Sequence, residues 1–178
     1  MREDQIVRYG RQLLLRELGG RGQERLLASP VRVLGAGPAI DDAIAYLLAG
    51  GTPVELVGPP PEGFLSGAQA RSLNPDAAPT GEIALEVLPA GLASTAPMQV
   101  VVGAGVAFRN ADACADCWAL TSAVVGPESG LPGLGSLAAL AAQRLILGWG
   151  ESLGLVLWNG ARLETAPIRT CQSHSNSQ

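Results

Sequence analysis

The chain predicts an α/β fold, doubly wound around a mostly parallel sheet, and three observations carry that expectation. A compact β run, Val31–Leu34, ends in the glycine turn Gly35-Ala36-Gly37. A helical pattern follows, with Ile40, Ile44, Leu47 and Leu48 recurring at helical spacing, and it stops at Gly50-Gly51 before the next strand pattern at 53–57. Strand, helix and strand in that order make a βαβ unit, which joins parallel strands by a right-handed crossover. Further on, Met98–Val102 is an apolar run apart from Gln99, the pattern of a strand covered on both faces.

The remaining elements follow in order. Asp4 can cap a short helix with Ile6, Tyr9 and Leu13 on one face and Arg8 and Arg11 on another. Gly19-Gly20 breaks the chain, and 23–28 predicts a second short helix. Residues 58–76 open on three prolines, which donate no backbone hydrogen bond and favour an extended loop. Strands are expected at 83–88, 98–102 and 120–125. Residues 135–148 predict a helix apolar almost all round, with Gln143 and Arg144 its strongly polar positions, so it should be largely buried. Runs at 154–158 and 161–165, joined by Asn159-Gly160, predict a hairpin with a two-residue turn. No repeat or interdomain linker interrupts the chain. A single domain over 1–178 is expected, with helices in 1–29, an α/β core in 30–170 and a tail in 171–178.

Composition narrows the function. The 178 residues are 47% apolar and 16% charged, which excludes disorder. A formal net charge of −4 argues against a nucleic-acid partner. All 12 basic residues are arginine, and without lysine there is neither a P-loop lysine nor a Schiff base. The start, MREDQIVRYGRQ, has no apolar signal core. The longest apolar stretch, 130–142, contains Pro132 and falls short of the roughly 18 residues that a membrane span needs. A soluble, cytoplasmic protein with no membrane partner is expected.

Three cysteines and one histidine fall as Cys114-Ala-Asp-Cys117 and Cys171-Gln-Ser-His174. Three cysteines are too few for a disulfide scaffold. Two pairs at this spacing supply four ligands, the set a structural zinc requires. The competing reading is a group of inert core thiols; without zinc, Cys114 or Cys117 offers a redox pair. A Cys114–Cys117 disulfide is not expected in a cytosolic compartment.

Several strings together resemble the MoeB/ThiF/HesA family, relatives of ubiquitin-activating enzymes. RYGRQLLLRELGGRGQERLLAS (8–29) is similar to the family's opening helices, VRVLGAG (31–37) to its first strand and turn, and SLNPD (72–76) to a later landmark. GSLAALAAQRLILGWGE (135–151) is similar to its last long helix. The resemblance implies a Rossmann-like fold, dimerisation through the helices of 1–29, and ATP-dependent adenylation of a ubiquitin-like sulfur carrier. It also implies zinc on two CxxC pairs, with His174 in place of the last cysteine.

Compared residue by residue with that family, the phosphate machinery is thin. Gly35 and Gly37 match the first two glycines of the nucleotide turn, but Ile40 stands at the third. Asp41 and Asp42 follow, where carboxylates would repel phosphate from the helix end. The ribose-holding acid is replaced by Val57-Gly58-Pro59-Pro60, the phosphate segment retains only Arg71, and the magnesium aspartate aligns with Gly103-Ala104-Gly105. The glycine turn therefore reads either as a retained structural turn or as a nucleotide site, and ATP with magnesium is a doubtful cofactor. Arg11 matches the arginine this family lends to a partner's ATP; it otherwise belongs to a solvated helix face. The expectation is a noncatalytic protein acting as a homodimer, or as a pseudo-subunit in a heterodimer with an active paralogue. The alternatives are an active adenylyltransferase and a protein binding another small ligand near Asp41, Asp42 and Gly103.

Overall fold

Three helices precede the sheet: α1 (Glu3–Arg8), α2 (Gly10–Leu13) and α3 (Gly19–Ala28). The structure, a computed structural model, describes residues 1–57, 84–127, 133–159, 161–168 and 171, with the backbone alone at 70–73. Asp4 does not cap α1 as expected. Arg2 holds the N-cap position and donates its backbone N–H to Gln5 Oε1 at 2.9 Å, while Asp4 accepts from the Arg2 guanidinium. The single helical face expected for Ile6, Tyr9 and Leu13 is interrupted at Tyr9. That residue is 2% exposed, whereas Ile6 is 50% exposed. The Tyr9 ring and the Gln23 amide lie against Gly51, where a Cβ would come within 3.0 Å of either, and the Gln23 amide donates to Gly50 O at 2.9 Å. Gly19-Gly20 begins α3 instead of breaking the chain. Inside it, Gly22 leaves room for Leu18 and Leu147.

The βαβ unit forms as its pattern predicts: β1 (Val31–Leu34), α4 (Pro38–Ala49) and β2 (Val54–Val57), with β1 and β2 parallel. The expected loop at 58–76 contains a strand, β3 (Ala70–Leu73), parallel to β2; the rest of that loop lies outside the described residues. β4 (Leu85–Pro89) and β5 (Met98–Val102) continue the parallel set. β6 (Gly105–Arg109) then turns back on β5, a strand the sequence reading missed because Gly103 and Gly105 precede a short run.

The strand expected at 120–125 is instead the end of α5 (Ala115–Ser122) and the turn after it. Trp118, Thr121 and Val125 are buried while Leu120 is 47% exposed, a helical spacing that a window starting at residue 120 truncates. α6 (Leu134–Leu147) is the largely buried helix expected, and β7 (Leu153–Trp158) and β8 (Leu163–Thr165) form the hairpin. The sheet order is β3-β2-β1-β4-β5-β6-β7-β8, parallel up to β5 and antiparallel beyond it.

Each face of the sheet has its own cover. On one, Val31, Val33, Val54, Leu56, Val87 and Val100 pack against α4 and α6. A Cβ on Gly135 would lie 2.1 Å from Ala39 O, so glycine there lets α6 press against the backbone of α4. On the other face, α5 covers Leu88, Val101, Ala107 and Leu155. Every buried aliphatic side chain contributes about 1.5–3 kcal/mol, and both layers depend on them.

Candidate functional site

Two places in this fold carry chemistry-bearing residues. The first is the end of the sheet where the strand order reverses between β1 and β4, the crevice in which α/β sheets bind ligands. After β1 the chain turns through Gly35 (φ +83°) and Gly37 (φ +131°), conformations that favour glycine, and enters α4 at Pro38. A Cβ on Gly35 would meet the Pro89 ring at 2.9 Å, so the end of β4 packs directly on the turn. The neighbouring ends are Ala90 beside β4 and Gly103-Ala104 beside β5. Gly126 crosses them: its carbonyl accepts from Ala104 N at 3.0 Å, and a Cβ on Gly103 would lie 2.0 Å from it.

Small, uncharged residues thus shape this end among the described residues. Ile40, at the third-glycine position, is 1% exposed and joins the core beneath α4. Asp41 lies in the first turn of α4. Arg11 is elsewhere, exposed on α2, and Arg8 is likewise exposed, with its guanidinium 5.9 Å from the Tyr9 ring centroid.

The second place is built by α5 and residue 171. Cys114 is the N-cap residue of α5 and Cys117 lies in its first turn. The two sulfurs approach Cys171 Sγ to 3.8 and 3.5 Å respectively, and all three ligand atoms lie within 4.8 Å of one another. Sulfurs about 2.3 Å from a tetrahedral zinc stand about 3.8 Å apart, so the set fits a metal ion compatible with zinc. These separations are well beyond the ~2.05 Å of a disulfide. His174, the expected fourth ligand, lies outside the described residues. The Cys171 N–H donated to Cys117 Sγ at 3.3 Å favours the Cys117 thiolate. Burial and the two neighbouring sulfurs outweigh it and push that thiol above its ordinary range.

A polar row, which sequence reasoning missed, supports α5. Trp118 Nε1 donates to Gln99 Oε1 at 2.7 Å, and the Gln99 amide donates to the carbonyls of Ser94 and Ala96. Ser94 donates to Glu86, whose other oxygen accepts from Arg32 at 2.9 Å. The Arg109 guanidinium lies 5.6 Å from the Trp118 ring centroid, and burial lowers its pKa. Register places Arg32, Glu86, Gln99 and Arg109 in one row across β1, β4, β5 and β6. The signal was available: each of these strands carries a single strongly polar residue in that row.

No family model matches the chain. A curated protein, adenylyltransferase and sulfurtransferase MOCS3 of Mus musculus, is 54% identical over 48 residues, 27% of this chain and 10% of that protein. Among solved structures, PaaA matches with a TM-score of 0.61 at 14% identity, covering 96% of this chain and 76% of that one. MccB of E. coli, solved with MccA-N7isoASN, matches at 0.58 and 13% identity, covering 93% and 73%. The fold is MoeB/ThiF-like. MccB solved with ATP matches comparably, at 0.58 and 12% identity over 92% of this chain and 72% of that one. No helix among the described residues is long and apolar enough to cross a membrane.

Proposed function

We propose that this chain is a noncatalytic relative of ubiquitin-activating enzymes, acting in the cytoplasm by association within a sulfur-carrier adenylating system. The observation that carries the reading is the lining of the crevice end: Gly35 against Pro89, then Ala90, Gly103 and Ala104. Adenylation needs a metal and cationic clamp over the phosphates, and these positions offer neither a carboxylate for magnesium nor a cation. Asp41, in the first turn of α4, adds negative charge at the helix end that would face phosphate, whereas Asp42, expected beside it, sits against Gly135 of α6. Exposed Arg11 on α2 is then free to complete a site in a second subunit, either another copy of this chain or an active paralogue. The helices of 1–29 supply the association surface, with Val7 80% and Leu14 86% exposed.

Cys114, Cys117 and Cys171 hold a structural zinc in this reading, with His174 as the fourth ligand. The ion ties the C-terminal residues to α5 and contributes folding free energy directly. Metal analysis of the wild type should find one zinc per chain. Cys171→Ser should lose it, together with about 3 kcal/mol of stability. A metal-free wild type removes the zinc reading.

Retention of the glycine turn at a switch point favours one second reading, an active adenylyltransferase of a ubiquitin-like sulfur carrier. ATP–pyrophosphate exchange with a purified sulfur-carrier protein separates the two. No exchange by the chain alone, with stable co-purification of a paralogue, supports the first reading. Exchange above background by the chain alone overturns it.

A further inference from the structure

We propose that the three-sulfur cluster is also a thiol-oxidation site, in which Cys114 reacts with a hydroperoxide and Cys171 closes a disulfide onto it. The order follows from exposure. Cys117 and Cys171 are 5% and 9% exposed, whereas Cys114, at the start of α5, is open enough to meet a small oxidant first. Cys171 Sγ stands 3.8 Å from Cys114 Sγ, so about 1.8 Å of approach brings the pair to disulfide length. Cys117 has a different environment: its sulfur accepts the backbone N–H of Cys171, and the first turn of α5 encloses it. It remains as the third thiol.

The chemistry balances in two steps. The Cys114 sulfur attacks one oxygen of hydrogen peroxide, the O–O bond breaks, and the departing hydroxide takes up the thiol proton, leaving a sulfenic acid and one water. The Cys171 sulfur then attacks the Cys114 sulfur. The S–S bond forms, the S–O bond breaks, and the hydroxide leaves with the Cys171 proton as a second water. Two thiols thereby give up two protons and two electrons to one peroxide. With two of the three sulfurs in a disulfide, the metal-binding set is broken and any bound ion departs. The cluster then alternates between a metal link and a covalent link, both joining residue 171 to the start of α5.

The test uses the full chain as purified, treated with stoichiometric hydrogen peroxide, alkylated and digested with trypsin. Cleavage after Arg109, Arg144 and Arg169 puts Cys114 and Cys117 on the 110–144 peptide and Cys171 on 170–178. The expected product is these two peptides linked, with fragmentation placing the bond at Cys114 and dithiothreitol reversing it. Cys114→Ser should slow thiol loss at least about tenfold. A bond to Cys117, or no linked peptide in wild type, overturns the proposal without the need for a variant. Zinc content is read on the same samples: linkage in a metal-free wild type upholds this site while removing the zinc reading, and zinc-loaded protein without linkage does the reverse.

Discussion

The crevice end of the sheet and the cysteine cluster lie in the same fold and differ in what the chain supplies. At the crevice, the backbone has the shape of a ligand-binding turn, with Gly35 and Gly37 at positive φ and a proline leading the helix, but among the described residues the neighbouring strand ends carry small, uncharged side chains and the helix start carries the carboxylate of Asp41. At the cluster, reactive side chains converge while the local backbone is an ordinary helix start. The difference teaches that a turn is held by packing from its neighbours, independently of any ligand. Pro89 and Gly126 impose the crevice geometry whether or not phosphate ever enters. Three sulfurs brought from positions 57 residues apart form a set that could hold a metal ion, which the crevice end does not offer among the described residues.

The comparison can be broken by loading side chains onto the glycines that shape the first region. Gly135→Val, against the α4 backbone, should cost about 3 kcal/mol in a urea titration; an unchanged midpoint would mean that α6 does not press on the α4 backbone that carries the glycine turn into the helix. Gly35→Ala is milder. Positive φ and the Pro89 ring together should cost about 1–2 kcal/mol, read in the same titration, with the cysteine cluster still able to bind zinc. Zinc loss in that variant would show that the two regions are coupled. On the cluster side, Trp118→Phe removes the indole N–H donated to Gln99 and should cost about 1 kcal/mol, lowering the thermal midpoint by a few degrees. The smallest effect belongs to Arg2 and Asp4. The Arg2 side-chain hydrogen bond holds the Asp4 carboxyl below its ordinary range, so its contribution is present above the unfolded-state pKa and lost as pH falls through the folded one. Both groups are solvated, and Asp4→Asn should leave the thermal midpoint unchanged at pH 7.

Much of the fold was legible because β1, α4, β2 and α6 state their period within the element itself. Ile40, Ile44 and Leu47 on α4 and the apolar face of α6 need no distant information. α5 was misread because its first turn holds Cys117, considered for metal binding, and because Leu120 to Val125 taken alone resembles a strand. The polar row escaped for another reason. Arg32, Glu86 and Gln99 look like isolated charges or amides in apolar runs until strand register brings them together. At the site, spacing had already grouped Cys171 with Cys114 and Cys117 as one candidate set, and the topology, which returns the chain past β8 toward α5, is what brings the three sulfurs together.

One contact near the N-terminus bears on how the chain is made. Arg25, on α3, donates to the carbonyls of Ile146 and Leu147 at 2.6 and 3.0 Å, closing the last turn of α6 from 121 and 122 residues away. A ribosome delivers α3 long before it delivers α6. The helix synthesised early must therefore wait for most of the domain to emerge before this anchor can form, and the late helix cannot seal its end without the early one. Removing the N-terminal segment would thus leave a fault at the opposite end of the polypeptide.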